Sequence, residues 1–271
     1  MKRALYTCIS SEDYLLGVFA LNESVKKYMQ DELHVLCTSE IYHKYKSLMT
    51  DWGMAPEETK YVDLPVEYVQ NINNTEYKYW KNTFVKLNLF DLCEFDKILY
   101  LDSDMILCGD VSELYERNIL SAVDDSDFMN SSNTKGINSG TLLIIPNHKI
   151  YERLIKNIIP TIKQKRIAGD QDVLQYTFPE FETNLSMHLD IAYNANAYKL
   201  DYYDTRITIK VVHFISGNKP WSWGAFYSLI RRFSYLLRGR RKTYKVTTEY
   251  CGLLRELKRK IGFENIQAEK L

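Results

Sequence analysis

Short apolar segments alternate with amphipathic segments along the first 64 residues, and this alternation constrains the fold more than any other feature of the chain. Three segments are rich enough in Leu, Val, Ile and Tyr to form buried strands, and they cover residues 3–9, 32–38 and 59–64. The segments between them, residues 10–29 and 41–53, have apolar side chains at helical spacing. Strands that alternate with helices predict an α/β fold, in which helices cover a mainly parallel central sheet.

The same pattern continues towards residue 215. The sequence predicts a helix at 77–92, strands at 97–101, 136–146 and 209–215, and a helix near 151–162. In an open α/β sheet, ligands bind at the carboxyl ends of the strands. The strand at 97–101 is followed at once by Asp102, so an acidic cluster is predicted at such an end.

Charge divides the chain near residue 224, although the formal net charge is zero. Residues 1–223 carry 23 basic and 31 acidic side chains, whereas residues 224–271 carry 12 basic and 4 acidic ones. This asymmetry predicts an acidic body, residues 1–223, and a basic helical extension, residues 224–271, with different tasks.

Cysteine usage and hydropathy limit the environment of the protein. The five cysteines lack CxxC spacing, which is typical of a reducing compartment and argues against a disulfide framework or a structural zinc site. The sequence has no run of about 18 apolar residues, and we do not expect its first residues, which soon become polar, to act as a signal peptide. We therefore expect a cytoplasmic protein, either soluble or attached peripherally to the inner face of a membrane.

Asp102 and Asp104 interrupt the apolar run "YLDSDMIL", and burying them requires a compensating charge. Residues two apart on a strand share one side, which brings these carboxylates together and turns Ser103 away. Converging carboxylates repel each other unless a cation lies between them or one of them is protonated. A divalent metal satisfies the pair, and so does solvent at a strand end, so the two acids alone favour neither interpretation.

A late strand carries His213 inside the run "VVHFI", and Lys219 follows six residues later in a turn. His213 is either a hydrogen-bonded core residue or a third metal ligand, and two carboxylates with an imidazole suit Mn²⁺ better than Mg²⁺. Lys219 is either a solvated turn lysine or a point charge for a phosphate. Asp170 and Gln171 precede an apolar helical segment, where an N-cap is the simplest interpretation of the aspartate.

Four short blocks, "LDSD", "INSG", "GDQ" and "HFISGNKPW", occur in a familiar order and approximate spacing. Over residues 4–223 the sequence resembles retaining glycosyltransferase family eight, whose members include glycogenin and bacterial lipooligosaccharide galactosyltransferases. The resemblance implies a single GT-A type, Rossmann-like domain that transfers a hexose from UDP-glucose or UDP-galactose to an acceptor hydroxyl. The implied acceptor is a lipopolysaccharide or other glycolipid, a cell-surface glycan or a glycoprotein.

The resemblance also implies roles for individual residues. Asp102, Asp104 and His213 would hold Mn²⁺, with Mg²⁺ as a second candidate, and Asp170 and Gln171 would be the catalytic positions in the donor-sugar pocket. The residues implied to bind the nucleotide sugar are Cys8, Ser10, Tyr14, Lys86, Asp102, Ser103, Asn138, Ser139, Gly217 and Lys219.

Two departures from the family pattern leave questions open. Ser216 stands where several relatives have glycine, which makes Gly217 a weaker contact than Lys219. The stretch from Asp124 to Lys135 aligns poorly, so the acid that contacts the sugar is either Asp124 or Asp125.

Three alternatives compete with transfer to a separate acceptor. A glycogenin-like protein would glucosylate itself, for which Tyr198, Tyr202 and Tyr203 are candidates. A phosphatase with an aspartate nucleophile also uses a DxD motif with Mg²⁺, but it gives no use for His213 or the KPW turn. A catalytically inactive scaffold has no need to retain the three ligands and Lys219.

The extension begins with a basic amphipathic segment over residues 225–242. Apolar residues at helical spacing share one face: Phe226, Leu229, Ile230, Phe233, Leu236 and Leu237. The pattern predicts a helix that either lies on an anionic membrane surface or packs on the body with its basic face in water. No recognition residues are interleaved with the charges, so nucleic acid is not an expected partner, whereas a homo-oligomer stays open.

Overall fold

The computed structural model describes residues 1–131 and 135–262. Its strands are β1 (Arg3–Ile9), β2 (Leu33–Thr38), β3 (Met54–Thr59), β4 (Lys97–Leu101), β5 (Met105–Leu107), β6 (Ser121–Asp124), β7 (Ile137–Ile144), β8 (His188–Leu189), β9 (Ala195–Asn196) and β10 (Val211–His213). Its α-helices are α1 (Leu15–Tyr28), α2 (Ser39–Asp51), α3 (Val66–Asn73), α4 (Asp125–Met129), α5 (His148–Lys165), α6 (Asp170–Thr177), α7 (Ala225–Leu237) and α8 (Arg241–Ile261). A long 3₁₀ helix covers Lys78–Asp91, and a short one covers Pro220–Ser222.

The main sheet has the strand order β3-β2-β1-β4-β7-β6-β8. Neighbouring strands run parallel except at β7, which is antiparallel to β4 and to β6. A smaller sheet has the order β5-β10-β9. The mainly parallel α/β architecture is therefore confirmed. Chain order reverses between β1 and β4, which is where open α/β sheets bind their ligands.

Both faces of the central strands are buried, as predicted for residues 97–101. Leu99 and Leu101 of β4 belong to a core cluster with α1 and α8, whereas Ile98 and Tyr100 belong to a second cluster with α5 and α6. Alternating side chains of one strand thus fill two separate layers of core. The carboxyl end of β4 is fixed from both sides.

The third strand was predicted at residues 59–64, but β3 covers Met54–Thr59, five residues earlier. Gly53 follows α2 with a φ of +68°, a left-handed conformation that glycine adopts without strain, and it turns the chain directly into β3. As an edge strand, β3 tolerates Pro56 and two glutamates, so the apolar signal at 59–64 was misleading. The predicted strand at 209–215 is also shorter, at Val211–His213.

The basic extension is helical, as predicted, up to Gly262, and residues 263–271 lie outside the described part. Tyr250 of α8 stacks on Phe214 at 4.0 Å between ring centroids, and Lys258 Nζ donates a hydrogen bond to the carbonyl of Trp221 at 2.7 Å. The extension therefore packs on the loop that follows β10. Among the described residues, no helix combines the length and apolar content needed to cross a membrane.

Candidate active site

Asp102 and Asp104 lie in the turn that joins β4 to β5, rather than on the strand itself. The amide of Asp102 donates to the carbonyl of Gly140 on β7 at 2.9 Å, and the amide of Met105 donates back to the carbonyl of Asp102 at 3.2 Å. The two carboxylates converge, as predicted, but the turn brings them together and not the alternation of a strand. Ser103, between them, is buried.

Strand pairing brings His213 to the two acids. β10 runs antiparallel to β5 with His213 opposite Met105, the residue that follows Asp104. His213 Nε2 lies 3.1 Å from an oxygen of Asp104 and 3.9 Å from an oxygen of Asp102. One potential ligand atom from each of the three residues lies within 4.8 Å of the others. Two carboxylates and one imidazole form a donor set that suits a divalent transition metal such as Mn²⁺.

Asn194 fixes the orientation of the imidazole. Its Oδ1 lies 3.0 Å from His213 Nδ1, and its own amide group donates to Asn138 Oδ1 at 2.7 Å. Because Asn194 Oδ1 can only accept, Nδ1 carries the proton of this bond, and Nε2 is the ring nitrogen that faces the two acids. Asn194 is completely buried, so solvent does not compete for these bonds.

Gly140, from the "INSG" block, gives the imidazole its space. A Cβ at this position would lie 2.8 Å from two atoms of the His213 ring and 2.7 Å from Met105 Cε. Any larger side chain would displace the histidine ring and the end of the Met105 side chain.

Lys86 is buried between Asp102 and the predicted catalytic residue Asp170, and its ammonium is surrounded by oxygen atoms. Its Nζ lies 3.0 Å from Asp102 and 2.8 Å from Asp170, and it donates to the hydroxyl and the carbonyl of Ser139 at 3.1 and 3.0 Å. Burial acts to lower the pKa of Lys86, but the two carboxylates outweigh burial and raise it above its ordinary value. Lys86 stays charged and ties Asp102 to Asp170.

Lys219 contacts the other acid. Its ammonium pairs with the Oδ2 of Asp104 and donates to the carbonyl of Phe214 at 3.1 Å. The ring of Tyr14 lies 5.5 Å from the same ammonium, within cation–π range. Lys219 is therefore not a solvated turn lysine, because it is buried against Asp104, and its contact with a phosphate stays a prediction.

The three acids of the site differ in how well their charge is matched. Burial, followed by the Asp104 charge, raises the pKa of Asp102 although Lys86 opposes the shift. Burial also acts to raise the pKa of Asp104, but Lys219 and His213 outweigh it and hold that pKa well below its usual range. Burial likewise disfavours the charged form of Asp170, yet Lys86 keeps its pKa below the ordinary value.

Asp170 is the first residue of α6, so the predicted N-cap role is wrong. Gly169 occupies the N-cap position, and the carboxylate of Asp172 accepts the hydrogen bond from the Gly169 amide at 2.9 Å. Because another acid caps the helix, Asp170 can face Lys86. Gln171 Oε1 accepts from the backbone amide of Ser139 at 3.2 Å, which joins the "GDQ" and "NSG" blocks.

The two acids left open by the sequence have different partners. Asp124 is the N-cap of α4 and accepts from the amide of Ser126 at 2.8 Å. An oxygen of Asp125 accepts from the side-chain amide of Asn138 at 2.8 Å, and Asn138 lies on β7 beside Ser139. Asp125, rather than Asp124, is therefore joined to the predicted sugar pocket.

Residues predicted to hold the nucleotide lie at the ends of β1 and β10. Cys8 is near the end of β1, and Ser10 directly follows that strand. Tyr14 packs edge-on against Trp221, with 5.7 Å between the ring centroids. Gly217 is in the loop after β10, and a Cβ there would meet nothing within 4 Å, so this position does not require glycine.

Three further residues support the site and were not predicted. Asn194 and Gly140 position His213, and Tyr100 donates to an oxygen of Asp102 at 2.5 Å. "INSG" was singled out for its polar residues, and the close approach of its glycine to a ring 73 positions away is a tertiary contact that no local pattern signals. The asparagine in "AYNANA" was likewise hidden in a segment chosen for its tyrosines.

Comparison with known proteins gives one family. The family model described as "Glycosyl transferase family 8" matches residues 7–224. Glycogenin-1 of Caenorhabditis elegans is 26% identical over 83% of this chain, which spans 52% of that relative's length. This chain therefore covers about half of that larger protein.

Solved structures with the same fold have lower sequence identity. The glycosyltransferase GlyE of Streptococcus pneumoniae has a TM-score of 0.60 at 20% identity, covering 94% of this chain and 63% of its own. An active-site mutant of LgtC has a TM-score of 0.58 at 16% identity, covering 92% of this chain and 95% of its own. These likenesses show a GT-A-like glycosyltransferase fold.

Proposed function

Because the chain belongs to glycosyl transferase family 8, we propose that it is a retaining transferase that moves glucose or galactose from a UDP-sugar to an acceptor hydroxyl. The convergence of Asp102, Asp104 and His213 beside Lys219 carries this proposal. A sugar diphosphate departs only when the negative charge that grows on it is stabilised, and this site concentrates the groups that can do so. The family and the KPW turn leave no support for a phosphatase.

Asp102, Asp104 and His213 are the residues that would hold Mn²⁺, or Mg²⁺ in its place. When bound, the metal supplies a Lewis acid for the diphosphate leaving group. Lys219 would add a positive charge for the diphosphate beside Asp104, and Asn194 keeps the imidazole of His213 in the tautomer that can coordinate.

The rest of the donor would be held by two groups of residues. Cys8, Ser10, Tyr14 and Ser103, near the end of β1 and the acid turn, are proposed to line the nucleoside side with Gly217. Asn138, Ser139, Gln171 and Asp125 are joined by hydrogen bonds and are proposed to bind the hydroxyl groups of the hexose.

Retention of configuration has two routes, and the contacts of Asp170 favour one of them. A double displacement needs a nucleophile. The Lys86 ammonium lies 2.8 Å from Asp170, and it stabilises the negative charge of that carboxylate and so makes it a weaker nucleophile. In the front-face route, the acceptor oxygen bonds to the anomeric carbon as the diphosphate leaves, and a diphosphate oxygen takes the acceptor proton. We favour this route, with the Asp170 carboxylate stabilising positive charge on the sugar and Lys86 holding Asp170 and Asp102 in place. Near-normal transfer and UDP binding by Asp170→Asn would contradict any essential role for this acid.

The donor is identified by incubating the protein with single nucleotide sugars and Mn²⁺ in the absence of acceptor. UDP release from UDP-glucose or UDP-galactose, lost on addition of EDTA, is the expected result. Failure to release UDP from any nucleotide hexose, by a protein that binds UDP normally, would contradict the proposal.

Self-glucosylation is the second candidate, because relatives in the family are glycogenins. Of the three candidate tyrosines, Tyr202 is 55% exposed, whereas Tyr203 is buried and its hydroxyl donates to the carbonyl of Phe128 at 3.0 Å. Mass increases in steps of one hexose during incubation with UDP-glucose would identify this activity, and Tyr202→Phe would remove it if that residue is the primer.

The apolar face of α7 points away from the body, which supports the membrane proposal over the packed alternative. Phe226 is 76% exposed and Leu237 77%, while Ser228 and Tyr235 face inward. Residues 224–262, which form α7 and α8, carry 11 basic and 2 acidic side chains, so the charge of this extension is complementary to an anionic bilayer. We propose that α7 lies on such a surface, at the inner face of the membrane, and that the acceptor is lipid-linked. Binding to phosphatidylserine vesicles and not to phosphatidylcholine vesicles is expected at low salt, and self-association through this face would appear as dimers without vesicles.

A further inference from the structure

Three acids share the site with two buried lysines, and the two lysines are not equivalent. Lys86 comes from the long 3₁₀ helix and has four oxygen neighbours, contributed by Asp102, Asp170 and Ser139. Lys219 comes from the loop after β10, and its recorded oxygen neighbours are a carboxylate oxygen of Asp104 and one backbone carbonyl. Lys86 is held by twice as many oxygen contacts as Lys219.

Both oxygens of Asp104 are engaged by positive or donor-capable groups. One lies 3.1 Å from His213 Nε2, and the other pairs with the Lys219 ammonium. A cation that binds His213 and Asp104 must draw on the same carboxylate charge that Lys219 already uses. The ring of Tyr14, on the predicted nucleotide side, offers the ammonium a second contact at 5.5 Å.

We infer that Lys219 is an exchangeable counter-ion of Asp104, which a divalent cation must displace and which a diphosphate then captures. This inference rests on the proposed function for the identity of the two ligands. It gives Lys219 opposite effects on them: the lysine competes with the metal when no nucleotide is present, and it assists the nucleotide once the metal is bound.

The test measures Mn²⁺ binding by electron paramagnetic resonance of the free ion, and UDP binding by calorimetry. Lys219→Met removes the charge at similar length, Lys219→Arg keeps the charge, and Lys210→Met removes a lysine that pairs with Glu113 elsewhere. Without nucleotide, Lys219→Met should bind Mn²⁺ roughly tenfold more tightly than the wild type, an ordinary size for coupling between two ligands. At saturating Mn²⁺, the same variant should bind UDP roughly tenfold more weakly. Lys219→Arg and Lys210→Met should bind Mn²⁺ like the wild type.

Removing Lys219 also leaves Asp104 buried with less compensation, so the variant should melt at a lower temperature in EDTA. Mn²⁺ should then raise its melting temperature more than it raises that of the wild type, which gives a readout even from a weakened protein. Mn²⁺ binding by Lys219→Met that is no tighter than wild-type binding would overturn the inference. If the opposite shifts occur but no UDP-hexose is consumed, the counter-ion role stands and the proposed function fails.

Discussion

The acid turn after β4 and the apolar face of α7 break the same rule of protein folding in opposite directions. At the turn, charged groups are buried, with Asp104 5% exposed. On α7, large apolar groups are exposed, with Phe233 at 53%. Buried charges and exposed apolar patches are the informative exceptions to ordinary burial.

The two regions differ in how they are satisfied. The buried acids find cations within the same chain, because Lys86 and Lys219 pair with them. The apolar face of α7 finds no cover among the described residues, as its exposed fractions show. The comparison teaches that the acids of the turn find their counter-charges within the described residues, whereas those residues leave the apolar face of α7 uncovered, which is why we propose a membrane surface for it.

The largest expected effect comes from removing a buried charge at the turn. Asp104→Asn should lower the transfer rate by about 10³-fold, because it removes a metal ligand and the partner of Lys219. Steady-state UDP release with saturating Mn²⁺ measures the loss. Asp204→Asn, which removes an exposed acid that pairs with Arg206, is the matched control and should retain full activity. Equal activity of the two variants would show that Asp104 takes no part in the reaction.

A methyl group placed against the imidazole should have the next largest effect. Gly140→Ala forces a contact below 3 Å with the His213 ring, so we expect about 100-fold less transfer and a loss of about 1–3 kcal/mol in stability. Gly252→Ala, in α8 with open space around it, is the control and should gain about 0.5–1 kcal/mol. Urea unfolding and UDP release measure both quantities. A Gly140→Ala protein as active as the wild type would show that the ring has room to move.

Removing the amide that orients His213 should act on metal binding in particular. Asn194→Ala should weaken Mn²⁺ binding by about 10–100-fold, the usual range for a residue that orients a metal-bound histidine. Asn157→Ala, which removes the hydrogen bond from this side chain to Thr177, should not change Mn²⁺ affinity. Unchanged affinity in Asn194→Ala would mean that packing alone orients the ring.

Substitutions on α7 should have the smallest effect on catalysis and the largest effect on membrane binding. Serine at Phe226, Leu229 and Phe233 should reduce binding to anionic vesicles at least about tenfold, since each side chain contributes roughly 1–3 kcal/mol when buried in lipid. Activity on a soluble acceptor should not change. The control places serine at three apolar residues that are as exposed but lie elsewhere: Val66, Ile159 and Leu185. Equal vesicle binding by both triple variants would leave α7 without a membrane role.

A truncation at Gly224 is not a clean test of α7, because it also removes α8. Tyr250 of α8 stacks on Phe214, and Lys258 bonds to the carbonyl of Trp221, so the loop that carries Lys219 would lose its support. Point substitutions on the exposed face avoid this effect.

The sequence predicted the central fold because strands that are buried on both faces have nearly continuous apolar sequences. Residues 97–101 and the start of α5 were predicted within a few residues for this reason. The edge strand β3 was misplaced because an edge tolerates polar residues and proline. The strands β8 and β9 have two residues each, too few for any period to emerge.

The sequence predicted those residues of the site whose burial costs free energy. Asp102 and Asp104 stand out because acids inside an apolar run demand a partner. Asn194 and Gly140 were missed because an uncharged amide and a glycine are ordinary residues until the fold places a ring against them. The exposed side of α7 was also undecided, since periodicity defines an apolar face but not what covers it.

Anomalous diffraction at the manganese absorption edge, from crystals grown with UDP and Mn²⁺, tests the central claim most directly. The account predicts a single strong peak bonded to Asp102, Asp104 and His213, with a diphosphate on its open side. A manganese peak that contacts none of these three residues, in crystals where UDP is well ordered, would contradict it.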